Sequence, residues 1–154
     1  MKPLARLSLV IAIVLGLLPA GAALATAATH VRASHAWLRV LPGDLPAGAY
    51  VTLKNNGDQP VALQGASSDA YAEVMLHKSS SEGGMSRMAA ISSLSIPAHG
   101  KAVLAPAGYH LMLMKSTHPV RPGDSVRIRL KFSDGSTLAT EFIARPANAL
   151  DAGG

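Results

Sequence analysis

Hydrophobic and polar residues alternate in short runs along most of the chain after residue 30. In the clearest run, residues 125–133, apolar Val, Ile, Leu and Phe are separated by Arg, Arg and Lys. Side chains two positions apart on a strand share a face, so this run predicts a strand with one buried and one solvated face. Eight further runs also predict strands: 30–40, 47–55, 61–67, 70–78, 93–97, 101–105, 109–115 and 137–145.

Clusters of Pro, Gly, Asn and Asp separate these runs, as expected for turns. The sequence SDGS at 133–136 predicts a tight hairpin. No run after residue 30 keeps a helical period, so the sequence predicts an all-β fold, an antiparallel sandwich or barrel. We expect one domain over residues 29–145. Residues 146–154, small and without pattern, are predicted to be a disordered tail.

The first 25 residues have the pattern of a cleavable signal peptide. Lys2 and Arg6 precede an apolar run at 7–18, and ALA at 23–25 or ATA at 25–27 offers a small-residue cleavage site. The run is shorter than the roughly 20 residues that span a bilayer, which disfavours a membrane anchor. We therefore predict removal of residues 1–25, with cleavage possible up to about residue 28, and export of a protein without stable membrane insertion.

Charge and cysteine content exclude several classes of protein. Removal of Lys2 and Arg6 lowers the formal net charge from +5 to +3, and no Lys/Arg run is interleaved with aromatic residues. Nucleic-acid binding is therefore not expected. The chain has no cysteine. It thus has no disulfide to stabilise it and no thiolate for catalysis or metal binding.

The run 109–115 has an unusual second face. His110, Met112 and Met114 alternate with leucines, which gives one apolar face and one face of imidazole and thioethers. His77 lies at the end of the run 70–78, on the face opposite its apolar residues, and Met88 follows a Gly-rich turn. Two strand ends and one loop thus offer a His or Met away from the expected core.

Thioether is a soft, neutral donor that selects Cu(I) over zinc, iron or calcium, and imidazole also binds copper. Two His and two Met would form a shell without negative charge. Methionine also fills cores for packing alone. Residue chemistry by itself therefore leaves both interpretations open.

The spacing H-x10-M-x21-H-x-M, from His77 through Met88 and His110 to Met112, resembles the signature of the periplasmic copper chaperones called PCuAC proteins. The resemblance extends over most of the chain after the signal peptide, through residues 35–63, 76–88 and 108–135. It implies a cupredoxin-like Greek-key β-sandwich in the periplasm that binds one Cu(I). The ligands that it implies are His77, Met88, His110 and Met112.

The resemblance also implies a role in cytochrome c oxidase assembly. PCuAC proteins supply copper to the CuA centre of oxidase subunit II and work alongside a thioredoxin-like assembly factor. Some carry a second copper site in a His/Met-rich tail, but residues 146–154 contain neither residue type. His30 and His35 are the replacement candidates for such a second site.

Other residues of the same types are interpreted as bystanders. Met75 shares the predicted face of His77 and is expected to shield the site, whereas Met85 and Met114 do not fit the spacing. The remaining predictions are a core position for Trp37 and solvated turn positions for His99 and His118.

Competing functions differ in the residues that they need. A blue-copper electron carrier needs a Cys ligand, which is absent. A zinc enzyme is disfavoured because no HExxH-like run exists. We therefore expect a protein without enzymatic activity. The alternative to a copper carrier is a structural module of the cell envelope whose Met face is buried against a partner.

Overall fold

The computed structural model describes residues 26–153, in which one short helix precedes ten strands. The predicted signal peptide, residues 1–25, lies outside the described residues. The elements in chain order are α1 (Ala27–His30), β1 (Val31–Arg39), β2 (Ala47–Asn55), β3 (Val61–Ser68), β4 (Tyr71–Glu82), β5 (Met85–Ala90), β6 (Leu94–Ile96), β7 (Lys101–Leu104), β8 (Tyr109–Ser116), β9 (Ser125–Phe132) and β10 (Thr137–Arg145). The all-β prediction is confirmed, and all nine predicted runs contain a strand.

The strands form a continuous ladder in the order β5-β4-β8-β7-β2-β1-β10-β9-β3-β6, with β2 also pairing with β8. The pairings are antiparallel except for β1–β10 and β7–β8, which are parallel. The second exception follows from β2, which pairs with β7 over residues 51–54 and with β8 over residues 47–49. Because β7 and β8 are both antiparallel to one strand, they run parallel to each other.

The core lies between the two halves of this folded ladder. Leu76, Leu111 and Leu113 from one half share a single buried cluster with Leu63 and Phe132 from the other. The alternation in the run 125–133 is confirmed, because its four apolar side chains are all buried. Full burial of each such side chain contributes about 1.5–3 kcal/mol to the stability of the fold. The buried face therefore holds these strands in place and leaves their opposite face to solvent.

A bulge in β1 decides the position of Trp37. Ser34 pairs with Thr52 of β2, but Trp37 pairs with Tyr50, so two residues of β1 stand opposite Val51 alone. The extra residue shifts every later side chain of β1 to the other face. Trp37 is therefore buried, as predicted, but it lies on the face of Tyr50 and outside the cluster between the two halves.

The sequence pattern does not predict the strand β5. Met88 lies inside a strand that begins at Met85, and β4 continues to Glu82. All six residues of β5 are exposed. Because neither face of β5 is buried, its sequence has no hydrophobic alternation. Only its pairing with β4 at the sheet edge makes it a strand.

Both described ends of the chain are attached to the sandwich. The Asp134 carboxylate accepts hydrogen bonds from the amides of Thr26 and Ala27, both at 2.7 Å, and these bonds help to lower its pKa to about 2. In the tail, the Arg39 guanidinium donates to Ala149 O at 2.6 Å. Within residues 26–153 there is no helix with the length and apolarity to cross a membrane.

Candidate metal centre

Two histidines stand side by side on the outer face of the sheet. His77 of β4 is directly opposite His110 of β8, and their ring centroids are 5.8 Å apart in an edge-to-face arrangement. Directly opposed residues of antiparallel strands share a face. Since Leu76 and Leu111 fill the core side of the same strands, both imidazoles lie on the other side.

His110 is held in one orientation. Its side chain is only 6% exposed, and Nδ1 lies 3.1 Å from the carbonyl oxygen of Gly108. A carbonyl can only accept, so Nδ1 donates and the neutral ring carries its lone pair on Nε2. Such a second hydrogen bond fixes the tautomer and the direction of metal-ligating histidines.

His77 contributes a nitrogen without a partner. Its Nδ1 is buried and makes no hydrogen bond to any of residues 26–153. Burial lowers the pKa of His77, and the neighbouring His110 lowers it further. The ring is therefore kept neutral, which is the form that binds metal ions.

The two predicted methionine ligands flank the histidine pair in opposite directions along the strands. Met112 lies two residues beyond His110 on β8, whereas Met88 pairs with Ser79, two residues beyond His77 on β4. Each step of two residues is about 7 Å along a strand. Met88, at the sheet edge, is 54% exposed. The structure thus places all four predicted ligands on one face, with one thioether in each direction from the imidazoles.

An aromatic wall borders His110 on the side of β2. The Tyr50 ring lies 6.5 Å from His110 and 4.6 Å from Trp37, and the Arg39 guanidinium covers both aromatic rings at 5.5–5.6 Å. Gly48 allows this placement, since a Cβ there would stand 2.6 Å from the Tyr50 hydroxyl. Sequence reasoning missed this wall, because the bulge that turns Trp37 toward it is not visible in the alternation.

The predicted bystanders occupy separate positions. Met75 is directly opposite Met112, on the face of the histidines, whereas Met85 pairs with Glu82 and lies on the other face of β5. His99 is exposed and bonds Asp58 at 2.8 Å, and His118 is also exposed. The solvated turn positions expected for these two histidines are confirmed.

The donor set is soft. No three His, Cys, Asp or Glu side chains within residues 26–153 form a group that could hold a metal ion. Zinc, calcium and magnesium favour such donors. A pair of imidazoles flanked by thioethers instead has the chemistry of a Cu(I) site.

Comparison with known proteins identifies a family that this chain matches. The family described as "Putative lipoprotein LpqE-like" matches residues 31–144. The chain belongs to the LpqE-like family. A relative from Leifsonia xyli subsp. xyli, named "Putative lipoprotein Lxx21020", is 37% identical over 142 residues, which cover 87% of this LpqE-like chain and 85% of the relative.

Solved structures with similar folds identify the fold of this chain. The copper-bound PCuAC domain from PmoF2 is 21% identical, with a TM-score of 0.64, and the match covers 76% of this chain and 93% of that domain. The structure titled CuI-DR1885, from Deinococcus radiodurans, is 35% identical over 75% of this chain and 77% of that one, with a TM-score of 0.59. Apo-DR1885 is 31% identical over 95% of both chains, with a TM-score of 0.58. The predicted cupredoxin-like fold is confirmed.

Proposed function

We propose that this LpqE-like protein is an exported copper chaperone that holds one Cu(I) between His77, Met88, His110 and Met112. The observation that carries the proposal is the histidine pair, in which His77 has a buried nitrogen without a partner among residues 26–153 and His110 has its Nδ1 occupied by Gly108. The 35% identity to CuI-DR1885 supports the same ion. The protein carries copper and performs no chemical conversion.

The site combines an oriented, buried donor with an exposed one. His110 is buried and oriented, so it supplies a preformed ligand, whereas Met88 stands exposed on an edge strand. A neutral thioether binds or leaves without gaining or losing a proton, unlike a thiolate. We therefore assign retention of the ion to the imidazoles and exchange with solvent or a partner to Met88.

We infer the cellular compartment and the recipient of the copper from similarity to other proteins. The relatives' names describe lipoproteins, which agrees with export to the periplasm through a signal peptide. The resemblance to PCuAC proteins favours delivery to the CuA centre of cytochrome c oxidase subunit II. A thioredoxin-like assembly factor is the second proposed partner.

A Cu(I) titration of the mature protein against a chromophoric chelator tests the binding site. We expect one tight site, and we expect Met88→Ala to weaken it by roughly tenfold or more, because even supporting residues around metals change affinity by about 10–100-fold. Met85→Ala is the matched control, since Met85 is 59% exposed on the same strand but on its other face. Equal affinity of both variants and wild type would refute the assignment of Met88 and favour a structural module.

The pH dependence of Cu(I) affinity gives an independent check. Protonation of an imidazole competes with the metal, and burial and His110 lower the pKa of His77 below its usual value of about 6.5. We expect affinity to decrease as pH falls through about 6.5 and below, in chelator competition between about pH 5 and 8. A loss centred well above pH 6.5 would contradict a shell of imidazole and thioether.

A further inference from the structure

Met75 is one of three methionines after residue 30 that the four-residue spacing leaves out, and the register places it directly opposite Met112. Cβ atoms of directly opposed residues are about 4.5–5.5 Å apart, so the sulfur atoms of Met75 and Met112 can both reach one ion between them. The next pair along the same face is His77 and His110. The two strands thus carry a pair of imidazoles followed by a pair of thioethers.

The surroundings leave the Met75 side of the Met75–Met112 pair open. Met75 is 40% exposed, so it does not serve as a core residue. On the opposite side of Met112, β2 presents Gly48, and the Tyr50 hydroxyl covers the space above this glycine. The following pair is Glu73 and Met114, and the Glu73 carboxylate is bound by Lys115. No free carboxylate of that pair therefore competes with the soft donors.

We propose that Met75 is a transit ligand, which holds Cu(I) together with Met112 while the ion enters or leaves the four-residue site. This inference rests on the proposed copper-chaperone function. A Cu–S bond to Met75 forms as the Cu–S bond to Met88 breaks, so the number of donors is kept. Both donors are neutral, and the exchange moves no proton and no electron.

The rate of Cu(I) transfer from the loaded protein to excess chromophoric chelator, followed by stopped flow, tests the role of Met75. Met75→Leu keeps the bulk and removes the sulfur, and we expect transfer roughly tenfold slower, the low end of effects of residues beside a metal's ligands. Met75→Ala should slow transfer to a similar extent. Equilibrium affinity should change less than twofold to threefold in either variant.

A shielding role gives the opposite pattern. If Met75 only covers the site, Met75→Leu leaves the rate unchanged and Met75→Ala, which opens the site, makes transfer faster. Either result overturns the proposal. Met85→Leu is the control for loss of an exposed thioether on the other face and should transfer copper at the wild-type rate.

Titration of protein carrying 13C-labelled methionine methyl groups with Ag(I), a soft and redox-inert substitute for Cu(I), separates the two proposals. We expect the Met88 and Met112 methyl signals to shift up to one equivalent and the Met75 signal to shift or broaden with them, while Met85 stays unchanged. Shifts of Met88 and Met112 without any change at Met75 would overturn the transit role alone. No shift at any of the three would overturn the proposed function as well.

Discussion

Replacement of His110 with alanine is expected to lower the Cu(I) affinity of the mature protein by at least about 100-fold, or about 2.8 kcal/mol. His110 is the most constrained donor of the candidate site, because it is buried and its Nδ1 is held by Gly108 O at 3.1 Å. A preoriented ligand loses little freedom on binding, so its removal costs more than removal of the exposed Met88. Competition with a chromophoric Cu(I) chelator measures the change.

His118→Ala is the matched control, since His118 is an exposed histidine whose Nδ1 lies against the carbonyl of Pro119 and which precedes the start of β9. We expect it to bind copper as the wild type does. Fluorescence of Trp37, the one tryptophan of the chain, reports whether the wall beside the site is intact in His110→Ala. Wild-type affinity in a folded His110→Ala protein would contradict the proposed ligand set.

Replacement of Asn55 with alanine is expected to lower the free energy of unfolding by about 3 kcal/mol. Asn55 is completely buried at the end of β2, and its amide joins three parts of the chain. Nδ2 donates to Gln59 O at 2.8 Å and to Ile96 O at 3.3 Å, and Oδ1 accepts from the amide of Gly57 at 2.9 Å. Alanine leaves these groups without partners, each at a cost of about 1–3 kcal/mol.

Thermal and urea unfolding measure this loss, which corresponds to a decrease in Tm of about 10 °C for a domain of this size. Asn56→Ala is the matched control, because the adjacent Asn56 is exposed and its backbone hydrogen bond to His30 O does not involve the side chain. A loss below about 1 kcal/mol in Asn55→Ala would show that the amide network contributes little. Asn55 lies about 17 Å along β2 from Tyr50, so copper affinity of the folded variant should stay at the wild-type value.

The sequence by itself determined the strands whose two faces differ in polarity. Residues 125–133 alternate strictly, and both their strand and its buried face are as predicted. The same logic placed His110 and Met112 opposite the core leucines of β8. It failed for β5, because a strand with six exposed residues has no periodic signal.

Only the tertiary structure decided which side chains meet across strands. The register of β4 and β8 brings His77 to His110 and Met75 to Met112, although more than thirty residues separate the members of each pair along the chain. Likewise, one extra residue in β1 moves Trp37 from the predicted core to the wall beside His110. Local pattern specifies the face of a residue, whereas register and bulges depend on packing between distant segments. The sequence therefore contained the donors of the candidate site, and the fold determined their neighbours.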